Sequence, residues 1–91
     1  MIIRNDSRFE FRGSVTIATV NEWLRESEVM FEAVGDWELD LSGVEAVDSA
    51  AVSLLLAWSR QAAARGHRLQ LQHLPDNLQS LLKVYDVQAL L

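Results

Sequence analysis

The chain contains no cysteine, which excludes a disulfide framework and a thiolate metal site and fits a reducing compartment. It also lacks a basic excess. Thirteen acidic residues outnumber eight Lys and Arg, for a formal charge of −5, and the basic residues are scattered, which argues against a surface for nucleic acid. No window approaches the ~20 apolar residues that span a bilayer, and the opening MIIRNDSRFEF lacks the run of about seven that a signal peptide needs. These absences predict a cytoplasmic chain with no direct membrane insertion. No repeat, low-complexity run or Pro/Gly/Ser linker divides the sequence, so residues 1–91 read as one domain, long enough to bury roughly two thirds of its unfolded surface.

Catalytic signatures are missing too. There is no Gly-x-Ser-x-Gly elbow, no Gly-x-x-x-x-Gly-Lys phosphate loop and no evident pair of carboxylates in a closed pocket. His67 and His73 flank one predicted strand, roughly 20 Å apart if extended, and no third ligand stands at zinc spacing. They read as surface histidines. The chain is expected to have no catalytic residue, no metal and no cofactor.

What is present is an alternation of short strands and amphipathic helices. Ile2-Ile3 and Phe9-Glu10-Phe11-Arg12 predict a hairpin turning at Asn5-Asp6-Ser7 and ended by Gly13 and Ser14. A helix should follow, starting between Thr16 and Thr19 and stopping at Gly35. Thr19 and Glu22 have capping-box spacing, and Ile17, Val20, Leu24, Phe31 and Val34 form its apolar stripe, with a gap at Ser27. Its acidic residues Glu26, Glu28 and Glu32, with Asp36, read as a solvated face.

Trp37-Glu38-Leu39-Asp40-Leu41 and Arg68-Leu69-Gln70-Leu71-Gln72 alternate as further strands. Strands covered on both faces read as continuous Val/Ile/Leu runs, so alternation predicts helices packed mainly on one face. A second helix is expected from about Ala50 to Arg65, capped by Gly66. Ala51, Val52, Leu55, Leu56, Ser59, Ala62 and Ala63 share its core face, and Ser53, Ala57, Arg60 and Ala64 face away. Leu54 and Trp58 fall outside that stripe. Trp58 is either buried under the third helix or tail, or exposed as a docking anchor.

A third helix follows Pro75, with Asp76 and Gln79 at N-cap and N3 spacing and Leu78, Leu81, Leu82 and Tyr85 buried. Val87 to Leu91 should fold back as a short helical turn. The order β-β-α-β-α-β-α defines an α/β fold with a four-stranded mixed sheet.

Asp40-Leu41-Ser42-Gly43-Val44 resembles the Asp-Leu-Ser-x-Val of STAS domains, and Val47-Asp48-Ser49 resembles the Asp-Ser or Asp-Thr that opens their second helix, at the family's spacing. The resemblance covers about residues 8 to 91, including Gly13. Within the family, Pro75 to Leu91, with its leucine-rich helix, tyrosine and terminal Leu-Leu, looks most like the MlaB subgroup, the STAS subunits of Mla phospholipid-transport ABC complexes. The subgroup implies a non-enzymatic subunit that binds the cytoplasmic ATPase and reaches the inner face of the inner membrane only through the complex. The family also contains anti-sigma factor antagonists switched by phosphorylation, which implies Ser49 as the alternative phosphorylation point. Antagonists usually carry Asp-Ser-Ser/Thr-Gly where this chain has Asp48-Ser49-Ala50-Ala51. Ala51 in place of that Gly is expected to limit close backbone approach at the turn.

The expected partner surface comprises Ser42, Gly43 and Glu45 from a loop, Asp48, Ser49 and Ala50 at the helix entrance, and Ser53 and Ala57 on its outward face. Each has an ordinary structural reading as well. Ser49 and Asp48 both suit capping of the first turn, and small residues on an exposed helix face suit a solvated helix of good propensity.

Overall fold

The hairpin forms where the sequence alternates. β1 (Ile2–Asn5) pairs antiparallel with β2 (Arg8–Val15), and Asp6, at φ 58°, turns the chain between them in the computed structural model, which describes residues 1–87. Aspartate tolerates this left-handed conformation better than most residues. Beyond the hairpin come α1 (Val20–Glu26), a 3-10 helix (Ser27–Glu32), β3 (Trp37–Val47), α2 (Ser49–Ala64), β4 (Leu69–Gln72) and α3 (Asp76–Val84). The four strands lie in the order β1-β2-β3-β4, with β2, β3 and β4 parallel.

The sheet is one-sided, as the alternation predicts. Phe9, Phe11, Trp37, Leu39 and Leu41 are buried beneath the helices. The alternate residues Arg8, Glu10, Glu38 and Gln70 point to the other face, where they are half-buried or exposed. The helices are fixed to the inner face by large side chains. Phe11 stacks on Trp23 of α1 at 5.1 Å and meets Trp58 of α2 edge-on at 5.3 Å, and Leu78 and Leu82 of α3 complete the core. Each such side chain contributes about 1.5–3 kcal/mol through burial.

Several expectations fail. Gly13 and Ser14 do not end β2, which runs to Val15 through register irregularities against β3. The predicted long first helix is a short α-helix continued by a 3-10 turn, and its stripe faces the wrong way. Trp23, Ser27, Met30 and Ala33 are buried, whereas Ile17, Leu24, Phe31 and Val34 are exposed. Ser27 can enter the core because its hydroxyl donates to the Leu24 carbonyl at 2.8 Å. Thr19 makes no side-chain cap. Its hydroxyl donates to the Ser14 carbonyl at 2.8 Å, which the Trp23 indole N–H also reaches at 2.8 Å, so α1 is tied to the end of β2.

In α2, Leu54 and Trp58 are buried and Ala63 is exposed, a rotation of the expected face. Trp58 is thus a core residue, packed against Phe11 of the sheet rather than serving as a docking anchor. Asp76 is the first residue of α3 instead of its cap, and Tyr85 is exposed. Of the expected terminal turn from Val87 to Leu91, residues 88–91 lie outside the described residues.

Candidate functional site

The entrance to α2 is built around one carboxylate. Asp48, at the N-cap in an extended conformation, accepts a hydrogen bond from the Ala50 amide at 2.8 Å through Oδ1 and from the Ile17 amide at 2.9 Å through Oδ2. One side chain therefore satisfies a first-turn donor of α2 and holds the β2–α1 loop against it. Because Asp48 performs the capping, Ser49 does not. Ser49 is exposed at the first helical position, and no hydrogen bond among the described residues engages its hydroxyl.

Exposed at this end are also Ile17, tied to Asp48, its neighbour Ala18, Ala46 near the end of β3, and Ser53 one turn along α2. The Ala46 amide bonds the Ser14 hydroxyl at 3.3 Å, and Asn77 of α3 donates to the Glu45 carbonyl at 2.7 Å, so the loops at this end of the sheet are cross-tied. The result is a cross-tied surface that carries the exposed Ser49 and Ser53 hydroxyls and an exposed isoleucine.

A second polar cluster lies on the open face of the sheet. Asp40 accepts from the Ser42 amide at 3.0 Å, from Arg8 at 2.9 Å and from His73 Nδ1 at 3.1 Å. The Ser42 amide foremost, with the side chains of Ser42, His73 and Arg8, holds the Asp40 carboxyl well below the usual carboxylate range and outweighs the opposing effect of burial. Arg8 also reaches Gln72 at 3.1 Å. The cluster therefore stitches β2, β3 and the end of β4 together, and its chemistry is that of a structural tie. The small void among core side chains, about 10 Å³ and lined by residues such as Phe11, Leu55 and Trp58, is too small and too apolar to hold a nucleotide.

A family model described as Mlab, STAS domain, matches residues 3–91. The chain belongs to the STAS domain family. Among solved structures, a sulfate transporter family protein from Wolinella succinogenes superposes with a TM-score of 0.72 at 20% identity, over 91% of this chain and 69% of that one. The anti-sigma factor antagonist SpoIIAA in its unphosphorylated form gives 0.64 at 19% identity, over 96% and 81%. The crystal structure of Mglu gives 0.64 at 18% identity over 86% of this chain, which spans only 20% of that protein. At such identities the likeness establishes the fold. No curated protein matches the sequence.

In this STAS domain the expected contact residues do not form one patch. Ser49, Ser53 and Glu45 are exposed near the α2 entrance, with Asp48 and Ala57 half-buried. Ala50 is buried and offers a partner little surface. Ser42, Gly43 and Glu45 are not in a loop, because β3 continues to Val47. Ser42 is exposed but precedes the end of the strand by five residues, roughly 16 Å, and Gly43 is pressed against the Phe11 carbonyl. Ala51 is buried, so its methyl group points into the core and does not obstruct approach to the turn. Ile17 is the residue the sequence reading missed as a surface feature. It precedes α1, so helical periodicity never governed it.

Proposed function

We propose that this chain is a non-enzymatic accessory subunit of an Mla-type phospholipid-transport ABC transporter. It binds the cytoplasmic ATPase subunit at the inner face of the inner membrane and supports a complex that maintains outer-membrane lipid asymmetry. The observation that carries this reading is the exposed, unbonded Ser49 at an α2 entrance that Asp48 has already capped. A polar group free of structural duty on a rigid surface suits recognition. The match to the Mlab, STAS domain model favours this branch of the family.

The test is co-purification of the full chain with the ATPase of a neighbouring transporter operon. Wild-type protein should retain the ATPase, and Ser49→Asp or Ser49→Arg should lose it. Equal retention by both charged variants would sink the assignment of the surface.

The alternative is an anti-sigma factor antagonist regulated by phosphorylation of Ser49, favoured by the same accessible hydroxyl and by the fold shared with SpoIIAA. A helix N-terminus tolerates a phosphate electrostatically. Intact-mass measurement of protein from its native host decides the matter: a phosphate on Ser49 supports this alternative, and unmodified protein bound to an ATPase supports the first reading.

A further inference from the structure

Resting on the reading of the α2 entrance as the ATPase contact, we propose that the ATPase meets it with an apolar patch rimmed by lysine or arginine, into which Ile17 inserts. The segments that meet at this end of the domain, residues 15–22, 44–53 and 75–77, contain Glu22, Glu45, Asp48 and Asp76 and not one lysine or arginine. Nor are these acids neutralised from elsewhere. The ion pairs among the described residues use Glu10, Glu26, Glu32, Glu38 and Asp40 instead.

Three of the four acids have a helix to offset them. Glu22 and Asp76 lie in the first turns of α1 and α3, and Asp48 caps α2, where the positive end of each helix favours a carboxylate. Glu45 has no such partner. It is exposed near the end of β3, and only its backbone carbonyl is engaged, by Asn77. Three helix N-termini, each equivalent to about half a positive charge, offset only part of the four carboxylates, so the end as a whole stays negative.

Ile17 stands within this acidic setting, 76% exposed. Its backbone amide is fixed by Asp48, so an apolar side chain is displayed from ordered backbone, and binding forfeits little further loop entropy. The acidic surround selects the occupant. Anionic lipid headgroups and nucleic acid are repelled. A second copy related by a twofold axis would set these carboxylates against themselves. A cationic rim around an apolar centre matches both the sign and the shape.

The experiment measures affinity of the full chain for the ATPase subunit at about 50 and about 500 mM NaCl, where screening lengths differ severalfold. Ile17→Ser and Glu45→Lys are each expected to weaken binding about tenfold or more at low salt. Glu28→Lys, the same charge reversal on the 3-10 helix, should stay within about twofold, and wild-type affinity should fall at high salt. Glu22→Lys serves as a second rim variant, and circular dichroism shows that each variant is folded. If Ser49→Arg abolishes the complex while Glu45→Lys and Glu22→Lys bind as Glu28→Lys does, the cationic-rim proposal falls and the ATPase reading stands. If the wild-type chain binds no ATPase, both fall together.

Discussion

Asp48 and Ile17 are joined across 31 residues of sequence by a carboxylate-to-amide hydrogen bond of 2.9 Å. That bond makes the β2–α1 loop and the start of α2 a single surface. Without it, Ile17 would be an exposed apolar residue on a free loop, and Ser49 would have no fixed neighbour on that side.

Asp48→Ala should therefore cost more than an ordinary cap. Loss of an N-cap costs about 0.5–2 kcal/mol, and the Ile17 amide loses its acceptor as well, so about 1–3 kcal/mol is expected in urea unfolding. Asp48→Asn, with one acceptor oxygen in place of two, should fall between. Hydrogen exchange at the Ile17 amide should accelerate in both variants. Unchanged exchange there would mean that the clamp is absent in solution.

Ser49→Ala should leave stability within about 0.5 kcal/mol of wild type, since no hydrogen bond is lost and alanine is the better helix former. A loss above about 1 kcal/mol in the same assay would show that the hydroxyl has a structural partner after all.

Acid should weaken the sheet through Asp40. Its folded-state pKa lies below the ordinary aspartate value of about 3.9. The stabilisation is therefore fully present above about pH 4 and is lost as the pH falls below that value toward the depressed folded-state pKa. Asp40→Asn should flatten the fall in stability below about pH 4. Denaturation midpoints measured across that range decide it, and an undiminished acid slope in the variant would assign the effect to other carboxylates.

Gly43→Ala should destabilise the domain without touching the α2 entrance. A Cβ at this position would lie 2.7 Å from the Phe11 carbonyl oxygen and 3.0 Å from Arg12 Cγ. The Arg12 side chain can move, but the β2 backbone cannot without disturbing its pairing with β3, so a cost of about 1–3 kcal/mol is expected. A thermal melt identical to wild type would mean that the irregularity between β2 and β3 yields easily.

The strands and α2 were legible because their patterns are local and strong. Phe9-Glu10-Phe11 and Leu39-Asp40-Leu41 each state which face is dry, and the run from Ala50 to Ala64 contains no residue hostile to a helix. The first helix was misread for a physical reason. Ile17, Val20 and Leu24 repeat at helical spacing, but so do Trp23, Ser27 and Met30, and a buried tryptophan stacked on Phe11 removes more apolar surface from water than Leu24 could. Two stripes competed, and packing against the sheet chose the larger.

The order of elements, the one-sided sheet and the Asp48-Ser49 entrance follow from the sequence alone, because periodicity and capping chemistry act over a few residues. Tertiary structure decided which face of α1 is buried, that β3 carries Ser42 away from the entrance, and that Asp48 reaches back to Ile17. Each depends on what lies across space from a residue, and neither the partner across a parallel sheet nor the acceptor for a loop amide is encoded by neighbours in the chain.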